Sequence, residues 1–202
     1  MINLYISDFD KHFAGLRDEL PWNVTALTAA LILKKINTLT NDFTITNSVA
    51  IHKKATVEEH VIIKGPAIVS EGCFIGAHAY FRGGIFLGEH VTVGPGCEVK
   101  SCIIMPHSAL AHFNFVGDSL VGSYVNMEAG SIAANHLNER EDKEIQVLLH
   151  GNPHRTGVTK FGALIGDQTK IGANAVLSPG TLLPPKSIVK RLELVDQVLY
   201  LS

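Results

Sequence analysis

From Ile45 onward an aliphatic or aromatic residue recurs every six positions, at Ile45, Ile51, Val57, Ile63, Val69, Ile75, Phe81, Leu87, Val93 and Val99. The register then loses one residue and runs through Ile104, Leu110 and Val116, loses another, and continues through Val121, Met127 and Ala133. After an insertion it resumes at Ile165, Ile171, Leu177, Leu183 and Val189. Four residues beyond most of these positions the side chain is small or apolar, as at Ala67, Cys73, Ala79 and Cys97. Two inward positions per hexad describe a short strand of period two followed by a bend. A six-residue period fits neither a 3.5 nor a 3.6 helical repeat. Three hexads close a triangular coil of about eighteen residues, with parallel strands stacked about 4.8 Å apart from coil to coil. The pattern predicts an all-β chain built as a parallel β-helix.

Two stretches depart from the hexads. Asp8 to Leu20 and Asn23 to Asn37 read as short helices separated by Pro21, with Asn23 as an N-cap and Leu27, Leu31 and Ile32 at helical spacing. Residues 1–44 are therefore expected to form a helical cap or brace, covering the open strand edge at one end of a coil that occupies 45–202. The insertion, about 136–162, is charged (NEREDKE), then β-prone (IQVLL), then rich in turn residues (HGNPHRTG), which predicts a hairpin arm.

With 202 residues and 46% hydrophobic content, one main core and a small appendage are expected. A net charge of −2 gives no overall attraction to nucleic acid or anionic membrane, so any basic site is local. Cys73, Cys97 and Cys102 form neither a closed disulfide framework nor a zinc-ligand spacing. The N-terminus lacks the features of a signal peptide, and the longest apolar run, Ala29 to Leu33, is too short to span a bilayer. A cytoplasmic, soluble protein is expected.

Eighteen-residue spacing becomes adjacency in such a coil, so Lys64, Arg82 and Lys100 should stack on one outer face. Stacked cations repel unless an anion or carboxylates sit among them. A phosphate site and a solvated charged face both satisfy the spacing. Residues 109–136 break the repeat with polar groups: Asn114 takes an inward position, Glu128 stands where the bend usually has Gly, and His112 lies near Asp118, Asn126 and Asn135.

At these residues the chain resembles the acetyltransferase half of the bifunctional glucosamine-1-phosphate acetyltransferase and N-acetylglucosamine-1-phosphate uridylyltransferase family, of the hexapeptide-repeat superfamily. The resemblance rests on His112, Phe115, Gly117-Asp118, Asn126, the Glu128-Ala129-Gly130 turn and Asn135, with Arg82 and Lys100 at matching distances upstream. It covers roughly residues 70–190 and implies a left-handed coil, acetyl-CoA as co-substrate, no metal, and a homotrimer with sites between subunits. It implies His112 as general base, Arg82 and Lys100 on the sugar phosphate, and Phe115 and Asn126 on the sugar. Asn135 and His136 then lie at the substrate or thioester region and Ala173 on the pantetheine. Uridylyl transfer is not expected from this chain.

Departures from the family pattern are Phe115 in place of Tyr, Glu128 in place of Gly, His136 in place of an apolar neighbour, and acidic residues at 139–144, where only Lys143 stands in for the expected lysines. Two other readings stay open. His107 and His112, five apart, match two of the three zinc ligands of a γ-class carbonic anhydrase, with His78 or His90 as the third. A catalytically silent trimeric scaffold is the other.

Overall fold

A computed structural model describes residues 1–198, so the last four residues of the expected 45–202 coil lie outside the described residues. The chain folds as the parallel β-helix that the hexads predict, left-handed as the family resemblance implies, with about 8 turns and three short α-helices among the described residues. Inward residues from every coil, from Ala67 and Val69 to Leu183 and Val189, form one continuous core. Two sheets, of thirteen and seven strands, wrap three faces. The larger sheet covers two of them, because Tyr80–Leu87 and Glu98–Ile104 continue around a corner. Where the repeat loses a residue, the pairing of these two strands shifts between Arg82 and Ile85.

The first face, running from Val49–His52 to Thr181–Leu183, points Ile68, Phe86, Ile103, Leu120, Leu164 and Leu182 outward into a second core. That core is closed by Ile2, Ile6, Phe9, Trp22 and Ile32 from the N-terminal segment and by Ile145, Val147 and Phe161 from the insertion. The helices thus lie along the side of the prism, where an outward apolar column needs cover, and not over its end. The strand edge at the first coil is covered instead by Phe43–Thr46, antiparallel to Val49–His52. That pairing leaves Ile45, the first of the hexad positions, 47% exposed and outside the core.

The helices are also shorter than the apolar spacing suggests. Helix α1 (Phe9–His12) stops before Gly15, whose φ is +82° and whose N–H is held by the Asp10 carboxylate. Helix α2 (Pro21–Ala26) begins at Pro21, not after an Asn23 cap, because proline fits the first helical position and Leu20 is already extended. Helix α3 (Thr28–Ile36) is offset from α2 at Leu27, where the Thr25 and Thr28 hydroxyls bond back to the carbonyls of Trp22, Val24 and Thr25. Asp167 pins the N-terminal segment to the coil: its carboxylate accepts from the Ser7 N–H (2.9 Å), the Ser7 hydroxyl (2.8 Å) and the Ser123 N–H (2.8 Å).

The insertion carries a hairpin, Gln146–Leu149 paired with Asn152–Arg155. Arg155 ties its base together by binding Asp142 and Glu144, so part of the acidic run is neutralised within the arm. Among the described residues no helix is long and apolar enough to cross a membrane.

Candidate active site

The second face carries the basic column. Arg82 pairs in register with Lys100, and Lys100 with Gly117. Lys64 stands one coil earlier, its N–H donating to the Phe81 carbonyl and its ammonium 5.2 Å from the Tyr80 ring centre. Carboxylates separate the cations: Arg82 binds Glu98 (Nη2–Oε1 2.7 Å) and Lys100 binds Asp118 (Nζ–Oδ2 2.6 Å). Coulomb repulsion within the stack is therefore offset inside the chain.

Above Lys100 the column reaches Gly117 and loses its side chain. A Cβ there would lie 2.7 Å from the Asn135 amide nitrogen and 2.9 Å from the tip of the Phe115 ring. Asn135 and Phe115 thus fill the space over Gly117 that a side chain would take, beside Lys100 and Asp118. Asn135 also donates to Asp118, and its carbonyl accepts from Phe161 where the chain returns from the arm (3.2 Å). His136, next in sequence, turns away, its Nδ1 lying 3.2 Å from the Thr159 carbonyl.

His112 occupies the corner that leads into this face, three residues before Phe115, and its ring is exposed. Gly94 leaves space for it: a Cβ at 94 would meet the Ala111 carbonyl and lie 3.2 Å from His112 Nδ1. The Gly130 N–H donates to the His112 carbonyl, Asn174 to Ala129, and Leu192 to Ala173, which stacks His112, Ala129 and Ala173 at one corner. His112 and Ala173 are two coils apart, about 10 Å at strand spacing.

Asn126 is separate. It is exposed on the third face, in register with Ala109 and Lys170. There it borders a groove of about 520 Å³ with Glu128, Lys170, Gly172, Lys190 and Arg191. Glu128 spans that groove, accepting from the Ala173 N–H (3.0 Å) and binding Arg191 through both oxygens (2.8 and 3.0 Å). Arg191, and then the Ala173 N–H, hold its carboxyl below the usual glutamate range.

Asn114, the other polar break in the repeat, is a structural residue. It is buried, donates to the Glu128 carbonyl and the Ser131 hydroxyl (2.8 Å each), and accepts from the Cys97 thiol. The three histidines of the zinc reading do not converge within one chain. His107 stacks between His90 (5.2 Å) and Tyr124 (4.7 Å) at the corner before Ala109–Leu110, and His112 follows that strand. His78 stacks on His60 at an earlier coil (5.3 Å). Among the described residues no three His, Cys, Asp or Glu side chains are grouped to share a metal ion.

Known proteins match parts of this chain of differing length. It is 41% identical over 180 residues to the bifunctional protein GlmU of Methanococcus maripaludis, covering 87% of this chain and 43% of that protein. It is 36% identical over 88 residues to the bifunctional sugar-1-phosphate nucleotidylyltransferase/acetyltransferase of Sulfurisphaera tokodaii, covering 44% and 21%. The chain thus spans less than half the length of these relatives. Among solved structures, PerB from Caulobacter crescentus, in complex with CoA and GDP-perosamine, aligns over 71% of this chain and 54% of its own at 22% identity, with a TM-score of 0.34. The profile of the GMPPB C-terminal domain matches residues 63–195, and the chain belongs to that family.

Proposed function

We propose that this chain is an acetyl-CoA-dependent N-acetyltransferase acting on an amino-sugar phosphate of the glucosamine-1-phosphate type. The observation that carries the reading is the convergence of Lys100, Phe115 and Asn135 around Gly117, beside Arg82, on the face that His112 leads into. The bifunctional relatives support the reaction class.

In this reading Arg82 and Lys100 bind the phosphate, Arg as a planar fork and Lys as a point charge. Phe115 packs on the sugar. The neutral imidazole of His112 takes a proton from the attacking amine as the nitrogen adds to the thioester carbonyl. The tetrahedral oxyanion then collapses, the C–S bond breaks, and the leaving sulfur is protonated. Ala173 and Asn135 border the path of the pantetheine, and His136, turned to the Thr159 carbonyl, is left out of it. Asn126 faces the other way in its own chain, so it is assigned to the sugar site of a neighbouring copy in a homotrimer. No metal enters this mechanism.

The silent-scaffold alternative is favoured by one observation: Glu128 already occupies the Ala173 N–H. A thiol-release assay with acetyl-CoA over a panel of amino-sugar phosphates separates the two. Release by the parent, lost about 10²–10⁴-fold in His112→Ala, is expected for the enzyme. No release above thioester hydrolysis is the scaffold's result.

A further inference from the structure

Asp118 belongs to none of the groups given a role above, yet it holds two of them. One of its oxygens, Oδ2, accepts from both Lys100 Nζ (2.6 Å) and Asn135 Nδ2. With the Lys100 and Asp118 side chains only 14% and 11% exposed, this is not a solvent-screened surface pair. The backbone fixes the carboxylate in turn. The Asp118 N–H donates to the Lys100 carbonyl (2.7 Å), and its own carbonyl accepts from Gly162 (2.9 Å), the residue at which the chain re-enters the coil after the arm. Its φ of +44° lies in the left-handed region, which aspartate enters more readily than most residues.

A carboxylate only accepts. Asn135 therefore turns its NH₂ to Asp118 and leaves its side-chain oxygen, Oδ1, without a partner among the described residues, while Lys100 spends one of three N–H groups on Asp118 and keeps two. We propose that Asp118 is the positioning residue of this site. It fixes Lys100 as a donor and Asn135 as an acceptor, so that the pair reads an anionic oxygen adjacent to a hydroxyl or N–H donor. The inference rests on the acyl-transfer reading for its substrate, but not for its geometry. Asp118 itself touches no reacting atom.

Asp118→Asn tests it. The substitution keeps size and shape, removes the counter-charge of Lys100, and lets the Asn135 amide adopt either orientation. Two groups lose their direction, and the long stem of Lys100 regains rotamer freedom. KM for the amino-sugar phosphate is expected to rise about tenfold with kcat within about twofold, read below the melting transition, which falls because a mostly buried lysine loses its partner. An unchanged or lower KM would mean that the freed Lys100 charge outweighs its lost aim, and overturns the proposal. So would a fall in kcat as large as the rise in KM.

A second readout needs no activity. Trace acetylation with acetic anhydride, read by mass spectrometry, is expected to modify Lys100 slowly relative to Lys64 in the parent. In Asp118→Asn the Lys100-to-Lys64 ratio should rise about fivefold, and an unchanged ratio removes Asp118 as the anchor of Lys100. A parent that releases no thiol strikes the acyl-transfer reading alone, and the labelling ratio still decides the positioning role.

Discussion

At the scale of single residues, the coil turns arithmetic into contact. Eighteen residues between Arg82 and Lys100 mark these side chains as neighbours from their spacing alone, whereas the lost residue pairs Lys100 with Gly117, seventeen on, and sets Asp118 one position past the column. The hydrogen bonds that decide what such neighbours do carry no such mark. Glu128 reads in sequence only as the loss of a glycine; in the fold it clasps Arg191 and the Ala173 N–H. Its depressed carboxyl gives a signed prediction. A group with a lowered folded pKa stabilises the fold above its unfolded value, ordinarily 4.5, and that contribution is lost as pH falls through the folded value. Parent minus Glu128→Gln thermal midpoints should therefore be positive at pH 7 and shrink toward zero on acidification below the glutamate range; a difference that grows in acid contradicts the clasp.

His12 gives a second pH prediction. Burial beside Phe86 pushes its imidazole below the usual value of 6.5, so the unfolded chain binds a proton more readily and stability falls as pH drops below about 6.5. Replacing His12 with Phe should flatten that slope. A slope as steep in the variant would assign it to other groups.

At the scale of elements, what the sequence shows depends on how local the cause is. Each strand is set by its own hexad, and the hairpin by a β-prone run beside turn residues, so both are legible directly. The ends of the helices and their docking depend on distant groups. Asp167 holds Ser7 across 160 positions, and Gly84 admits α3 because a Cβ there would stand 2.6 Å from Ala29 N and 2.7 Å from Ala29 Cα. Neither contact has a periodic signature. At Gly84, φ is +96° and the obstructing atoms are backbone, so Gly84→Ala is expected to cost about 2 kcal/mol or more in a denaturant titration. A loss under about 0.5 kcal/mol would show that α3 can retreat freely. Asp167→Ala removes three hydrogen bonds and should increase amide exchange in residues 1–12 before that of the coil.

At the scale of the whole molecule, one face of the prism is taken by the helices and arm, which leaves the second and third faces and the corner between them for ligands and neighbouring copies. The candidate site straddles that corner, with Arg82, Lys100, Phe115 and Asn135 on one side and Asn126 on the other. The family pattern groups these residues at one site, but it carries no sign that a single chain divides them, since facing direction follows from which hexad in a coil each occupies. The proposed trimer closes that division, and a sedimentation measurement giving a monomer would leave Asn126 without a role.

The chain's own thiols do not obscure a sulfur-based assay. Burial pushes Cys73 up to about 11 and Cys102 up to about 12, raises Cys97 as well, and leaves all three out of solvent. Only released CoA should then react at neutral pH.

Acetyl transfer to the amine of a phosphorylated amino sugar is tested by isolating the sugar product after incubation with acetyl-CoA. The expected result is an N-acetylated sugar phosphate in amounts equal to the thiol released, much less product from the same amino sugar without its phosphate, and almost none from His112→Ala. Product formed equally by His112→Ala, or no acetylated sugar from any amino-sugar phosphate, would contradict it.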